Sequence, residues 1–321
     1  GAIVTGANFS KATLLGFTKE QLYSTASYQQ ENMQGIGLGF NDLTGWDFSG
    51  QNLAGAYLGD SVLTNANLAG ANLANARLSY STLTNANLAG ANLAGAALWN
   101  STLTNANLAG ADLAGANLES STLTKANLAG ANLTGARLAH AELTDANLIF
   151  ADTRGAAGLV ARSNSIRNMI WPNASIQGLN LMAGERLVVR DYAGNSPWAG
   201  PPVNVVRIFG EMSISATGQL DLGHNRLIVK SGNLADVTAQ IVRGFNSGAW
   251  DGFGITSSAA ASDPSQLTAL GVMLNDNGQG GDIYTTFAGL SASPRDVLVK
   301  WTYYGDADLS GRVDGDDLVS F

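Results

Sequence analysis

A leucine at every fifth position dominates this sequence. From Leu53 to Leu148 the register holds for twenty successive leucines, and the same register begins as far upstream as Met33. A period of five fits neither the 3.6 residues of an α-helix turn nor the two-residue alternation of a β-strand. A chain that turns a corner every five residues, however, points every fifth side chain at one axis. The register therefore predicts a four-sided coil with twenty residues per turn.

The twenty-residue period can be read directly, because "STLTNANLAGANLAGAALWN" at 81–100 is followed by "STLTNANLAGADLAGANLES" at 101–120. Such blocks give about six coils, stacked at ~4.8 Å each. An alanine two residues before most leucines, replaced by serine once per coil, fits a narrow interior that holds one large and one small side chain per side. Equivalent asparagines on successive coils predict a ladder of side-chain hydrogen bonds, formed by Asn67, Asn87, Asn107, Asn127 and Asn147.

The motif A-[DN]-L-x-x occurs here as "ANLAG", "ADLAG" and "ARLSY" and resembles the motif of the pentapeptide-repeat proteins. The resemblance covers roughly 110 residues. It implies a mainly β fold, the right-handed quadrilateral β-helix. Functions in this family range from DNA mimicry to scaffolding, so the resemblance leaves the activity open.

Two segments are predicted before the regular coils. Residues 1–16 keep the five-residue register as first repeats, and the chain opens inside a repeat, which predicts further sequence upstream. Residues 17–31 are predicted to leave the solenoid as a short helical cap over an exposed end or side, because Thr18 and Gln21 have the spacing of a capping box. The solenoid itself is predicted to span residues 32–152.

The pattern changes after the coils. Residues 153–178 have no clear period and are predicted to be a linker. Residues 179–305 are predicted to form a β-rich module, because runs rich in Val, Ile and aromatic residues are separated by Gly, Asn and Pro. Its stretch "GFNSGAWDGFGITSSAAAS", together with "YYGDADLSGRVDGDDL" at 303–318, resembles a C-terminal module of exported, multidomain bacterial proteins.

One short helix is expected inside the β-rich module. The stretch "NLADVTAQIVRGF" places three apolar side chains on one helical face, Leu234, Val237 and Ile241. Gly244 follows them and is expected to stop the helix.

The stretch "DADLSGRVDGDD" has the spacing of a calcium loop. Gly311 stands at position 6, where the sharp turn is required, and oxygen ligands fall at positions 1, 3, 5, 7, 9 and 12 of the loop, namely Asp306, Asp308, Ser310, Arg312 through its carbonyl, Asp314 and Asp317. Calcium is therefore the expected cofactor. With Asp at position 12, residues 306–321 resemble one half of a dockerin type I repeat. Dockerins use two such loops, so binding to a cohesin-like partner stays open.

The sequence contains no recognisable set of catalytic residues. His140 is predicted at an outward corner of a coil, and His224 in a turn between two strands. The chain has no cysteine, which excludes thiolate chemistry, and it has no P-loop, dinucleotide-binding fingerprint or nucleophile elbow. No apolar stretch is long enough to predict a membrane span. We therefore expect a protein that is not an enzyme.

Three function classes remain. The first is an exported structural, adhesive or scaffold protein, located outside the cell or at its surface, whose partner is a protein or a cell-envelope or extracellular polymer. The second is a DNA mimic that inhibits a topoisomerase. Residues 51–150 carry five acidic and three basic side chains, and this net charge of −2 is small for a phosphate mimic. No nucleic-acid partner is therefore expected.

The third class is ice or polysaccharide binding by a flat face of the solenoid. Threonines in the pattern T-x-T point outward on three successive coils, at Thr82, Thr84, Thr102, Thr104, Thr122 and Thr124. Threonine is also a favoured strand residue. The array therefore has a structural explanation as well as a functional one.

Overall fold

Two units divide the residues that the structure describes. The structure is a computed structural model, and it describes residues 1–159, 168–171, 174–181, 185–189, 205–304 and 306–313. Unit 1 comprises residues 1–159, and unit 2 comprises the described residues from 168 onward.

Unit 1 contains a 3-10 helix at Ala12–Leu15 and two short α-helices, α1 (Lys19–Tyr23) and α2 (Ala26–Gln29). Unit 2 contains α3 (Leu234–Phe245), α4 (Ser258–Ala261) and a 3-10 helix at Asn246–Gly248. The described strands of unit 2 are β1 (Ser175–Leu181), β2 (Arg186–Val188), β3 (Val205–Ile214), β4 (Gln219–Asp221), β5 (Arg226–Val229), β6 (Gly254–Thr256), β7 (Thr268–Leu274), β8 (Thr286–Phe287), β9 (Leu290–Ser291) and β10 (Val297–Tyr303).

Unit 1 is a β-helix that returns to the same side after twenty residues. Parallel bridges join residues twenty apart, from Asn32↔Asn52 through Arg137↔Ala157. A left-handed corner residue, glycine or asparagine in most coils, ends each five-residue side, as at Gly70 with φ 64°. The predicted four-sided coil is confirmed. Its bridges continue five residues past the predicted boundary at 152.

The interior of the coils holds the leucine column. Every leucine from Leu53 to Leu148 is at most 4% exposed, and the alanines that alternate with them are buried as well. Serine replaces alanine once per coil without leaving an unpaired hydroxyl, because Ser81 Oγ donates to the carbonyl of Leu78 at 2.5 Å across the corner. Ser121 does the same with Leu118 at 2.7 Å. Each buried leucine contributes about 1.5 to 3 kcal/mol, so this column is the main source of stability.

The predicted asparagine ladder is present. Asn87 Nδ2 donates to Asn67 Oδ1 at 3.2 Å, and the same bond recurs at 3.0 to 3.2 Å up to Asn147. A second ladder, which the sequence analysis did not identify, joins Asn72 to Asn52 and Asn92 to Asn72, each at 3.1 Å. Each Oδ1 also accepts from the backbone two residues later, so the amides lock one coil onto the next.

The helical segment predicted at 17–31 contains α1 and α2. The predicted capping box is confirmed, because the Thr18 amide donates to Gln21 Oε1 at 2.8 Å and the Gln21 amide donates to Thr18 Oγ1 at 3.5 Å. Leu22 of α1 is fully buried. Aromatic side chains pack where this segment meets the first coil, because the ring of Tyr23 stacks on that of Tyr28 at 4.3 Å and meets that of Trp46 edge to face at 6.3 Å.

The N-terminal segment also closes the first coil. In later coils the bridging amide donates to a carbonyl of the preceding coil, as Asn67 does to Trp46 at 2.9 Å. The first coil has no such predecessor on two of its sides. There the amide of Asp42 donates to Thr13 Oγ1 at 3.1 Å, and the amide of Asp47 donates to the Tyr23 hydroxyl at 2.5 Å. Side-chain hydroxyls thus replace the missing carbonyls.

Tyr23→Phe tests this closure. The change removes the acceptor for the Asp47 amide and keeps the ring, so we expect the free energy of unfolding to fall by about 1 kcal/mol. Chemical denaturation of the whole chain measures it. Tyr80→Phe, which removes a hydroxyl from an exposed ring, is the matched control and should have no effect. Equal loss in the two variants would contradict the closing role of Tyr23.

Unit 2 combines three sheets. The largest has the strand order β1-β3-β5-β10-β7, in which β1, β3 and β5 are parallel and β10 is antiparallel to both β5 and β7. Strands β2, β4 and β6 form a second, parallel sheet, and β8 and β9 form a hairpin. The module is β-rich with a helix, as the sequence predicts, and its first strand begins before the predicted boundary at 179.

Helix α3 follows the predicted pattern on its inner face. Asn233 caps it by accepting from the amides of Ala235 and Asp236, and Val237 and Ile241 are buried. Leu234, predicted to share that face, is 37% exposed in the first turn.

The predicted helix stop at Gly244 is wrong. The helix runs on to Phe245, and Asn246 in the left-handed region, with φ 41°, ends it. Gly244 instead packs against β6, where a Cβ atom would overlap the carbonyl oxygen of Ile255. Gly244 therefore allows helix α3 to pack closely against the sheet.

Candidate functional site

The first half of the predicted calcium loop lies directly after β10. Asp306 is only 3% exposed. Its Oδ2 accepts from the Gly311 amide at 2.9 Å and from the hydroxyl of Thr302. Its Oδ1 is buried and has no hydrogen-bond partner among the described residues. A buried carboxylate oxygen without a donor is costly, and a cation bound there would remove the cost.

The next residues of the loop are tied to the core of unit 2. Asp308 Oδ1 accepts from the Ser310 amide at 2.9 Å, and the Asp308 carbonyl accepts from the Tyr284 hydroxyl at 2.7 Å. Leu309 is buried in the hydrophobic core of this unit. Gly311 has φ 93°, which agrees with the sharp turn expected at position 6 of the loop.

A lysine side chain lies beside the loop. Lys300 Nζ donates to the carbonyl of Leu309 at 2.7 Å. Burial lowers the pKa of Lys300, and the charges of Asp306 and Asp308 act against that lowering. A cation in the loop would therefore share two carboxylates with this ammonium group, which weakens binding.

Four of the six predicted ligand residues lie among the described residues of the loop. Asp306, Asp308, Ser310 and Arg312 follow one another in the described half-loop, where Ser310 Oγ accepts from the Arg312 amide at 3.3 Å. Asp314 and Asp317 lie outside the described residues. Among the described residues, no group of three or more acidic, histidine or cysteine side chains has the arrangement of a metal site.

The threonine array occupies one side of three coils. Parallel bridges stack Thr82 on Thr102 and Thr102 on Thr122, so the rows follow the coil spacing. Their side chains are half-buried. Val62 precedes the row and Glu142 follows it, which limits the regular array to three coils.

Comparison with known proteins agrees with this architecture. The sequence profile of the family described as pentapeptide repeats matches eight copies, at residues 42–79, 81–119 and 121–156. HetL from the cyanobacterium Nostoc sp. strain PCC 7120, described as a pentapeptide-repeat protein involved in the regulation of heterocyst differentiation, is 31% identical. This match covers 45% of the present chain and 71% of HetL, with a TM-score of 0.29. The chain belongs to the pentapeptide-repeat family.

Two other solved structures are similar to parts of the chain. Rfr23 from the cyanobacterium Cyanothece 51142 is 40% identical over 32% of this chain and 62% of its own, with a TM-score of 0.19. QnrB1, described as a plasmid-mediated fluoroquinolone resistance protein, is 18% identical over 41% of this chain and 67% of its own, with a TM-score of 0.24. Comparison with curated proteins finds no match.

The two histidines and Asp263 lie outside the predicted calcium loop. His140 is an exposed corner residue of the pentapeptide-repeat solenoid, and His224 lies in the turn between β4 and β5 with its ring 4.9 Å from that of Trp301. The Asp263 carboxylate accepts from the hydroxyls of Thr268 at 2.6 Å and Ser265 at 2.7 Å, and these bonds lower its pKa to about 2. In the part of the chain that the structure describes, no helix is long and apolar enough to cross a membrane.

One feature of the solenoid was missed by the sequence analysis. The fourth side of successive coils carries aromatic side chains, Tyr57, Tyr80 and Trp99, where the other sides have alanine, asparagine or threonine. The signal was present in the sequence as three departures from the repeat with spacings close to twenty. Only the coil geometry shows that the three rings share one face.

Proposed function

We propose that this pentapeptide-repeat protein is a non-enzymatic, exported scaffold or adhesive protein. The solenoid serves as a rigid spacer, and unit 2 with its C-terminal calcium loop serves for attachment to a protein or to a cell-envelope or extracellular polymer. The observation that carries the proposal is the buried Oδ1 of Asp306, which lacks a donor among the described residues at position 1 of a calcium-loop sequence.

The ligand types suit calcium. Ca²⁺ prefers six to eight oxygen ligands from carboxylates, hydroxyls and carbonyls. Asp306, Asp308, Ser310, the carbonyl of Arg312, Asp314 and Asp317 would hold the ion. The bound ion would neutralise carboxylates that otherwise repel one another. An affinity in the ~10⁻⁴ to 10⁻³ M range, typical of extracellular modules, makes the site useful where calcium is millimolar.

An apolar groove beside the loop supports an attachment role. It has a volume of about 1000 Å³, and its walls include Val242 and Phe245 of α3 and Met273 of β7. Asp306 and Asp308 also line it. Calcium bound there would change the charge at the edge of an apolar surface, which is one way to make attachment depend on calcium.

Calcium titration tests the proposal. We expect titration calorimetry on the full chain to give a Kd of ~10⁻⁴ to 10⁻³ M. Asp306→Asn keeps the size of the side chain and an acceptor for the Gly311 amide, and it should abolish the heat. Asp236→Ala, an exposed carboxylate in the first turn of α3, is the control and should bind as the wild type does. Identical heats for wild type and Asp306→Asn at millimolar calcium would refute the site.

The alternative function is inhibition of a topoisomerase by DNA mimicry. A phosphate mimic needs a dense acidic surface. On the regular coils the net charge is only −2, and one of the five acidic side chains, Glu119, is already paired with Arg137 at 2.5 Å. Inhibition of DNA supercoiling at micromolar protein would favour this alternative over the scaffold.

A further inference from the structure

The fourth side of the first regular coils departs from the repeat. In the coils of residues 61–140, three sides read close to "STLTN" or "ANLAG". The fourth side reads "IGLGF", "AYLGD", "ARLSY" and "AALWN" at 36–40, 56–60, 76–80 and 96–100. We call this surface the aromatic side. It carries every aromatic residue between positions 51 and 145. The fold does not need them, since the coils beyond residue 100 form the same side without Phe, Tyr or Trp.

The rings lie near one another along the aromatic side. Tyr80 and Trp99 meet edge to face with centroids 4.5 Å apart, and Phe40 and Tyr57 are 6.2 Å apart. Tyr80 is 52% exposed and Trp99 is 36% exposed. Exposing aromatic rings to water is unfavourable, and alanine at these positions would serve the fold equally well. The clustering of exposed rings therefore indicates a surface for recognition.

Two glycines make room for the central ring. A Cβ atom on Gly39 would lie 2.6 Å from Tyr57 Cδ1, and one on Gly59 would lie 2.9 Å from Tyr57 Cε2. The Tyr57 ring therefore lies over the backbone of its own coil and of the preceding one. Contact with the backbone at Gly39 and Gly59 fixes the orientation of this ring before a ligand binds.

Polar groups lie among the rings. A groove of about 400 Å³ is lined by Tyr57, Asp60, Arg77, Tyr80 and Trp99. Its one acidic and one basic side chain leave it without net charge. The Tyr57 hydroxyl is protonated at neutral pH, and burial and the neighbouring Asp60 carboxylate raise its pKa further. The groove thus offers ring faces together with both donors and acceptors of hydrogen bonds.

This combination selects the class of ligand. Ring faces suit C–H surfaces, the carboxylate and guanidinium suit hydroxyls, and the absence of net charge in the groove disfavours nucleic acids and other polyanions. Five residues at ~3.3 Å and four coils at ~4.8 Å give a strip of only ~320 Å². A stable protein interface needs about 800 Å² per partner. We propose that the aromatic side binds a neutral polysaccharide, with Tyr57, Tyr80 and Trp99 stacking on its sugar rings.

Affinity electrophoresis of the full chain in gels containing soluble neutral polysaccharides (a β-glucan, a xylan, a mannan and a galactan) tests the proposal. We expect at least one polymer to retard the wild type. Trp99→Ala and Tyr80→Ala should each weaken that binding about tenfold or more, because each removes a ring that the ligand would cover. The retardation should be the same with and without EDTA, which separates this site from the calcium loop of the proposed function.

Two controls make the result decisive. Phe253→Ala removes a ring of matched exposure, 50%, from unit 2 and should leave binding unchanged. The double variant Thr82→Ala with Thr102→Ala disturbs the threonine array and should also leave it unchanged. Retardation by none of the polymers, or retardation that Trp99→Ala does not alter, overturns the proposal. A self-associated wild type that becomes monomeric in Trp99→Ala by sedimentation would overturn it too, because a second copy would then occupy the aromatic side.

Discussion

Leu108→Asp is expected to unfold the pentapeptide-repeat solenoid. Leu108 is fully buried between the equivalent leucines of the adjacent coils, Leu88 and Leu128. A carboxylate at this position would be buried in the apolar interior without a partner, and either its charge or its protonation would cost several kcal/mol. We expect a loss of more than about 4 kcal/mol, which exceeds most single substitutions. Denaturation followed by circular dichroism measures it.

Asn105→Asp is the control for that experiment. Asn105 is an exposed corner three residues earlier, with φ 58°, where aspartate is also tolerated. We expect its unfolding free energy to stay within about 0.5 kcal/mol of the wild type. Similar shifts in the two variants would mean that the leucine column is not the core of unit 1.

Gly244→Ala is expected to destabilise unit 2, although helix propensity alone predicts that it stabilises helix α3. In the interior of a helix this change normally stabilises by about 1 kcal/mol. Here the new Cβ would overlap the carbonyl oxygen of Ile255 in β6, which is backbone and has no rotamer to change. We expect α3 to shift away from the sheet, at a cost of about 3 kcal/mol or more. Thermal denaturation monitored by tryptophan fluorescence checks the loss.

Val242→Ala in the same helix provides the comparison. Val242 is largely exposed, so the change raises helix propensity without altering the contact with β6. Its stability should stay within about 0.5 kcal/mol of the wild type. A Gly244→Ala variant as stable as Val242→Ala would show that α3 does not need this close approach.

Sequence periodicity was sufficient to predict the solenoid fold because every coil repeats the same local interactions. The leucine column, the corners, the asparagine ladder and the Thr18–Gln21 capping box all depend on residues at fixed spacing. The closing hydroxyls were not predictable in this way. Thr13 and Tyr23 pair with Asp42 and Asp47 at separations of 29 and 24 residues, which no repeat specifies.

Unit 2 shows the limit of pattern reading more clearly. Composition indicated several of its strands, whereas β1, β6, β8 and β9 were not predicted. The order β1-β3-β5-β10-β7 depends on pairings between distant segments. Gly244 was assigned to a helix end because glycine commonly stops helices, whereas its actual neighbour is a strand ten residues later in the chain. The calcium-loop spacing predicted the turn at Gly311, and the bond from Thr302 to Asp306 became visible only in three dimensions.

Interchangeable coils also have an evolutionary consequence. Removing residues 101–120 would join Asn100 to Ser121, which recreates the Asn–Ser junction already present at 100–101. Gene duplication or deletion in steps of sixty nucleotides can therefore lengthen or shorten the rod by one coil, ~4.8 Å, without a new fold having to be found. If each end of the solenoid contacts a partner, the number of coils sets the distance between those partners. Selection can adjust that distance in small and equal increments.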